Sequence, residues 1–433
     1  MPVKALVALI LGAVAVLVTS SSAYALSLSW HGYFSAGIDH PTAAAYSPNG
    51  ETVYMSDFNS KSIYKFDVKN RTYGAHSASM PGDAVIQGVA ASPDGKFVYV
   101  TTSQSSTSCG FVYLKASDLS YQGCTNVSFS EAGVAYPAQP KQLVVNSAGT
   151  RAYLVGSDSA GIHEIDLKAT DKANAQTNFK SLSQSAVFGL NERLAGIAIS
   201  PDGSTLFITE RDYDSFDSAK DRVFVLSTAH LSIPNIPQTL QAPFRQPTGV
   251  AVSPDGSKVF VSDNSPESSP GQGDNQVFVF NARTHALMGQ FDATSTLTYT
   301  SNKFLAVSPD STQLAVVNAS STSSLSLFST SSYSLTEEVP FVSAPRTDMQ
   351  FFSAAFAPNG ATMAFVSQTF GGLIIVDVNP ALSPRSALSN TGTSNSWTLM
   401  TAFVLSSLGI VVVCLLYAVK RRTTSASSPS ASE

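Results

Sequence analysis

The chain has 433 residues, a formal net charge of −5 and only 13% charged residues, against about 25% in a typical soluble domain. Its length suits one large domain or two to three ordinary ones. No basic stretch lies outside the termini, so the clustered Lys/Arg surface that phosphate binding needs is missing and nucleic acid is excluded as the main partner.

Residues 1–25 read as a signal peptide. Lys4 supplies the positive start, residues 5–18 form an unbroken apolar core, and Ala23-Tyr24-Ala25 is a small-residue cleavage site. An uncleaved anchor is the alternative, but the apolar run is short for a membrane span.

A short phrase then recurs along the chain. It reads Ser47-Pro48-Asn49-Gly50, Ser92-Pro93-Asp94-Gly95, Asn146-Ser147-Ala148-Gly149 and Ser200-Pro201-Asp202-Gly203. It continues as Ser253-Pro254-Asp255-Gly256, Ser308-Pro309-Asp310-Ser311 and Ala357-Pro358-Asn359-Gly360, in steps of 45, 54, 54, 53, 55 and 49 residues. Apolar strand patterns flank each phrase, such as Gly249-Val250-Ala251-Val252 before the fifth and Val259-Phe260-Val261-Ser262 after it. The phrase is a hairpin turn: Pro sets φ at the first corner, and Asp-Gly or Asn-Gly is expected to supply the positive-φ positions. A third strand follows in most units (Gln276-Val277-Phe278-Val279-Phe280), then a weaker fourth (Leu287-Met288-Gly289-Gln290-Phe291). Four antiparallel strands in each unit of about 50 residues make a propeller blade. A β-sandwich does not repeat one turn at such constant spacing.

The expected fold is therefore all-β, a seven-bladed propeller over residues 26–380. The seventh unit breaks at Asn379-Pro380 with no fourth strand, while residues 27–36 have strand character and no blade of their own. The N-terminal strand is expected to complete the last blade and close the ring, removing the exposed edges of an open array.

The phrase resembles that of the YVTN-type propellers, whose repeats carry G-V-A-V-S-P-D-G-x-x-V-Y-V. Residues 249–261 match it nearly position for position, and the resemblance spans about 42–378. It is specific for fold and weak for function. That superfamily includes surface proteins, binding propellers and lactonase-like enzymes.

Two of the three cysteines, Cys109 and Cys124, flank the third and fourth strands of the second unit, nearly symmetric about a turn near Ala116-Ser117. They are expected opposite each other across that hairpin and joined by a disulfide in an oxidising compartment. The loop is short, so the gain is about 2–3 kcal/mol. Asn70, Asn126 and Asn318 head N-glycosylation sequons.

The longest connections lie between second and third strands of units four and five, at 210–222 and 263–275. They share one face, rich in carboxylate, amide and arginine, where Arg211, Asp212, Tyr213, Asp263, Asn264 and Asp274 are candidates for contacting a ligand. Asp212, Asp214, Asp217 and Asp221 offer oxygen ligands of the kind Ca2+ takes. Their spacing is not that of the EF-hand loop, and the glycine its turn needs is missing. The six histidines are scattered, and no H-E-x-x-H, G-x-S-x-G or C-x-x-C pattern occurs. A lactonase-like site would need His, Arg and Glu converging in the central channel; Arg193, Glu210, Arg245 and Arg346 lie near unit starts.

Residues 381–396 form a Ser/Thr/Pro-rich linker, and 397–419 an apolar run followed by Lys420, Arg421 and Arg422. As a helix that run is about 35 Å long, enough to cross a hydrocarbon core of about 30 Å. Trp397 suits one interface and the basic triplet a cytoplasmic end. Cys414 lies within the span, and a short tail, 420–433, is left inside. The charged tail disfavours a glycolipid signal. Leu388-Ser389-Asn390-Thr391-Gly392 resembles a Gram-positive sorting signal of the L-P-x-T-G kind, with Ser389 in place of proline.

The expectation that follows is a single-pass membrane protein with its propeller outside, acting as a non-enzymatic binding module for an extracellular protein, glycan or small ligand. The alternatives are a secreted lactonase- or gluconolactonase-like hydrolase working in the channel, and a structural component of the envelope.

Overall fold

Second strands such as Phe97-Val98-Tyr99-Val100 are apolar at consecutive positions instead of alternating, which requires burial on both faces of the sheet. A computed structural model shows how this arises. It describes residues 26–380 apart from 36–37, 39, 81–83, 104–108, 132–133, 138–139, 157–160, 182–191, 213–220, 232–237, 264–275, 294–300, 320–323, 341–350 and 368–370.

Seven four-stranded antiparallel sheets follow one another, counted here from the inner strand outward. Blade 1 is Pro41–Tyr46, Thr52–Asp57, Ser62–Asp67 and Thr72–His76. Blade 2 is Val85–Ala91, Phe97–Ser103, Phe111–Lys115 and Tyr121–Thr125, and blade 3 is Pro140–Val145, Arg151–Gly156, Gly161–Asp166 and Gln176–Ser181. Blade 4 is Glu192–Ile199, Thr205–Asp212, Arg222–Ser227 and the two-residue Gln238–Thr239. Blade 5 is Pro247–Val252, Lys258–Asp263, Gln276–Asn281 and Leu287–Asp292; blade 6 is Ser301–Val307, Gln313–Ala319, Ser324–Ser329 and Leu335–Pro340. In blade 7, Phe351–Phe356, Thr362–Ser367 and Gly372–Pro380 are completed by Leu26–Phe34, the first of the described strands. First strands of successive blades are neighbours all the way round, Phe351–Phe356 returning to Pro41–Tyr46.

Adjacent sheets bury their faces against each other, so each central strand feeds two cores. In Thr52–Asp57, Val53 and Met55 face blade 7 while Tyr54 faces blade 2. Fully buried Phe207, Phe260, Phe280 and Phe365 fill such interfaces, each contributing on the order of 1.5–3 kcal/mol of apolar burial. A hairpin between blades 2 and 3, Ser128–Glu131 with Val134–Pro137, has no counterpart in the repeat and was not foreseen from it.

The repeated phrase works as expected in outline and differs in its dihedral angles. In Ser253-Pro254-Asp255-Gly256 the Gly256 amide donates to Ser253 O at 2.8 Å, and Ser253 N donates to Lys258 O at 2.9 Å. Ser253 Oγ donates to Asp255 Oδ1 at 2.5 Å and accepts from Lys258 N at 2.9 Å. Positive φ occurs at the fourth position alone, from 62° to 74° across all seven turns, with Ser311 at 62° in the glycine's place. The expectation that Asp or Asn shares the positive φ is corrected: its carboxyl or amide oxygen caps the following amide, which suits an ordinary turn backbone.

These turns also touch one another. A Cβ on Gly95 would lie 3.9 Å from the Pro48 ring of the preceding blade; Gly149 faces Pro93, Gly203 faces Asn146, Gly256 faces Pro201 and Gly360 faces Pro309. Ser311 Oγ accepts from Asp255 N at 3.0 Å, and Gly50 faces Asn359, returning from blade 1 to blade 7. The seven turns form a closed collar on one face of the propeller. The opposite face carries the connections between second and third strands and those between blades, and is called the loop face below.

Near the loop face every first strand carries a β-bulge. In blades 1, 2, 4 and 5 the bulged amide donates to a buried hydroxyl of the second strand: Ser56, Thr101, Thr209 and Ser262. Thr101 and Thr209 pass the bond on to the next blade, donating to Lys141 O at 3.3 Å and Thr248 O at 2.8 Å. The bulge glycine is there for closeness: a Cβ on Gly196 would meet Thr248 O at 2.6 Å.

Two outcomes follow. Gly95→Ala, which has room for its methyl, lowers stability by about 1–2 kcal/mol from the left-handed backbone alone, whereas Gly196→Ala, which must push a neighbouring blade away, lowers it by more; denaturant titration ranks the two. Deleting residues 26–34 leaves blade 7 with an open edge and abolishes the one cooperative melt of the ring, instead of removing a minor step from it, as followed by circular dichroism.

Candidate functional site

The propeller brings the ends of all second strands to the loop face, and the side chains described there show what the fold does with their charge. Asp57 and Asp263 end the second strands of blades 1 and 5 and do the same work. Asp57 accepts from His40 N at 2.8 Å, and Asp263 from Arg245 N at 3.1 and 3.0 Å and Gln246 N at 2.7 Å. Each carboxylate thus anchors the backbone that enters the blade's first strand, and Asp263, a ligand candidate from sequence, is a structural clamp of its own loop. Burial pushes its carboxyl up to about 6, against the pull of the Gln246 and Arg245 amides.

Glu210 occupies the corresponding stretch of blade 4. It is buried and held by Arg222 of the third strand, with Nε at 2.8 Å and Nη2 at 2.6 Å from Oε2. Glu210 therefore serves a bond between strands, and Arg245 contributes its backbone amide to Asp263. Arg193 lies in Glu192–Ile199 with its Cα opposite that of Arg211. Arg346 lies outside the described residues. Of these four residues the structure describes the side chains of Glu210 and Arg245, and Glu210 is held by Arg222.

Of the ligand and metal candidates, Arg211 and Asp212 belong to Thr205–Asp212, which runs further than the sequence suggested because Asp212 still pairs with Glu192. Tyr213, Asp214, Asp217, Asn264 and Asp274 lie outside the described residues. Asp221 is described and buried beside Arg222. Among the described residues no group of three or more His, Cys, Asp and Glu side chains is placed to hold a metal ion; Asp214 and Asp217 lie outside them, and the Ca2+ set rests on the oxygen-ligand chemistry of its carboxylates alone.

Cys109 and Cys124 are joined by a disulfide with a Cα–Cα distance of 5.6 Å. They are not cross-strand partners, which corrects the reading from symmetry. Cys124 lies opposite Val112, and a bulge between Tyr113 and Leu114 shifts the register of the hairpin. Cys109 precedes its strand, so the bridge runs diagonally and closes the loop-face end of the hairpin. Of the sequon asparagines, Asn70 and Asn126 are exposed, and Asn318 lies in a second strand with its Cα between those of Asn302 and Ser324.

One buried titratable group escaped the sequence reading because nothing around it in the chain marks it. His163, in the third strand of blade 3, is fully buried with its ring 4.8 Å from that of Phe179. Burial pushes its pKa down to about 4.

No family model matches the chain, and no curated protein matches it in sequence. Solved structures do. A chain of Kuenenia stuttgartiensis hydrazine synthase aligns with a TM-score of 0.61 at 16% identity, over 80% of this chain and 97% of that one. A chain of the mitotic checkpoint complex gives 0.59 at 18% identity, over 82% and 93%. The Cps50 (Swd1) β-propeller domain of Myceliophteria thermophila gives 0.58 at 11% identity, over 82% and 100%. At these identities the likeness is one of fold, and it agrees with the seven blades seen here.

Two buried groups impose opposite pH slopes. The unfolded chain takes a proton at His163 near 6.5, before the folded protein does, so stability is lost as pH falls from 6.5 toward 4, by about 2 kcal/mol at pH 5. Asp263 behaves inversely: the folded protein takes its proton near 6 and the unfolded chain only near 3.8, so stability rises over the same window, by about 1 kcal/mol at pH 5. His163→Leu is expected to gain stability relative to the parent on going from pH 7 to 5, and Asp263→Asn to lose it. Melting curves at the two pH values test both signs.

Proposed function

We propose that this propeller is a non-enzymatic interaction module, held at a cell surface and presenting its loop face to an extracellular protein, glycan or small ligand. The observation that carries this reading is the unlike character of the two faces. The collar is seven near-identical turns packed into a ring. On the loop face the connection between second and third strands spans residues 58–61, 157–160 and 320–323 in blades 1, 3 and 6, but 213–221 and 264–275 in blades 4 and 5. The collar-side connections between third and fourth strands vary as well, from 68–71 to 228–237, but they lie outside the ring of inner turns, and the longest connection within a blade, 264–275, is on the loop face. A constant inner scaffold carrying such connections is the arrangement in which recognition is built on a fold.

The charged groups described on that face favour binding over turnover. Asp57, Asp263 and Glu210 are committed to backbone amides or to Arg222, and a general acid or base must be open to its substrate. The YVTN-type phrase supports membership of that propeller group at the level of the repeat. Among the described residues no helix is long and apolar enough to cross a membrane. The anchor in this reading is 397–419, outside them, and its support is the length and flanks of that run.

The full-length protein in detergent, melted in the presence of glycans, peptides, lactones, Ca2+ and EDTA, tests the reading. A ligand at 100 times its Kd contributes about 2.7 kcal/mol and raises the melting point by a few degrees. The expected result is a shift with a glycan or peptide that disappears when 264–275 is replaced by the four residues of the blade 1 connection. Lactone hydrolysis accompanied by a Ca2+ shift that EDTA reverses would replace this reading with the hydrolase.

A further inference from the structure

Blade 7 differs from the other six in its covalent connection. In blades 1 to 6 the third and fourth strands are joined on the collar side, through residues 68–71, 116–120, 167–175, 228–237, 282–286 and 330–334. In blade 7 these two strands are Gly372–Pro380 and Leu26–Phe34, from opposite ends of the propeller. The place of that missing turn is taken by the points where the chain enters and leaves the fold.

Strand direction puts both points on the collar side. Gly372 pairs with Ser367 at the loop-side end of the second strand, and Asp377 with Thr362 at its collar-side start. Arg71, in the collar-side turn of blade 1, reaches Asp377 Oδ2 at 3.1 Å. Gly372–Pro380 therefore runs toward the collar. Leu26–Phe34 runs the other way, because only residues 35–40 join it to Pro41, whose partner Asp57 ends a second strand at the loop face. Its far end is fastened to blade 1, with Tyr73 Oη donating to Phe34 O at 2.6 Å and the Phe34 ring 4.8 Å from that of Phe66. Leu26 and Pro380 thus mark one outer corner of blade 7.

We infer that the collar face is turned toward the membrane and the loop face away from it. The inference rests on the surface-anchored reading above, but not on which anchor is used. A retained N-terminal leader, a C-terminal span and a sorting-signal linkage all pull on the same corner. Residues 381–396 separate the propeller from the apolar run, and a random chain of that length has a root-mean-square reach of about 22 Å, close to the roughly 20 Å length of a six-residue strand. Presenting the loop face to the membrane would require the linker to climb the blade and clear the loops, near its full extension of about 55 Å. The exposed carboxyls of the collar oppose close contact with anionic lipid. Asp94 and Asp202 are held below the usual carboxylate range by the Ser92 and Ser200 hydroxyls. The collar is then a stand-off face, and the unequal loops meet what comes from outside.

The test uses the full-length protein in zwitterionic vesicles, in a Cys414→Ala background with one added cysteine per variant. Ser117→Cys and Arg283→Cys label the collar side on blades 2 and 5; Phe58→Cys and Gln241→Cys label the loop side on blades 1 and 4. All four positions are exposed, and each variant is used only if its melting point equals the parent's. Energy transfer from the labelled cysteine to a headgroup acceptor is read after vesicle flotation. Both collar-side labels are expected to transfer at least twofold more efficiently than both loop-side labels. Equal transfer, the reverse order, or a ranking by blade instead of by face, in protein that floats with the vesicles, overturns the orientation. Protein that does not float refutes the anchored reading, and the orientation falls with it.

Discussion

The structure depends on one seam, where the last blade meets the first. Six blades are continuous antiparallel meanders joined by the chain itself. The seventh interface must be made by contacts between residues more than 300 positions apart. Tyr46 Oη lies 2.8 Å from Thr362 Oγ1, Ser353 Oγ donates to Ala44 O at 3.3 Å, and Arg71 pairs with Asp377. Val53, Met55 and Phe66 of blade 1 pack with Val366, Leu373 and Ile375 of blade 7. The N-terminal strand covers the remaining edge. A ring held in this way has no free sheet edge at the seam and no blade that is stable alone, because each sheet buries both its faces only between two neighbours.

A collar of turns and a set of loop-side hydroxyl bonds follow from that closure. On the collar side each turn's fourth residue faces the turn of the preceding blade, and this is possible only because that residue is small and left-handed. On the loop side, buried hydroxyls of second strands bind the bulged first strand, and two of them reach the carbonyl of the next blade. These contacts account for the constant form of the inner hairpins, and neither set constrains the connections between second and third strands. Those connections vary most in length, from 58–61 in blade 1 to 264–275 in blade 5. The separation of scaffold from recognition surface is therefore a consequence of how the inner strands pack.

The electrostatics of the loop face point the same way. An acid at the end of a second strand reads from sequence as a ligand contact, and Asp263 was a natural candidate. In the folded chain its carboxylate is surrounded by the amides of Arg245 and Gln246, as Asp57 is by that of His40. Glu210 lies in the equivalent region and is neutralised by Arg222. The low overall charge leaves few ionisable groups to spare, and the fold uses several of the best placed ones to fix its own loops.

By itself, the sequence determined the number of blades, the place of each inner hairpin and the closure by the N-terminal strand. All three are written in local signals: a turn phrase at near-constant spacing, apolar runs on both sides of it, and one blade short of a strand. The disulfide pair was also legible, but not its geometry, because a bulge of one residue shifts a register without leaving a mark in the spacing. The left-handed position in each turn, the collar, the role of Asp263, the pairing of Glu210 with Arg222 and the burial of His163 were decided only by the tertiary structure. Each depends on which atoms of a neighbouring blade or strand come within about 3–4 Å, and such proximity between residues distant in the chain is set by packing, not by composition or period.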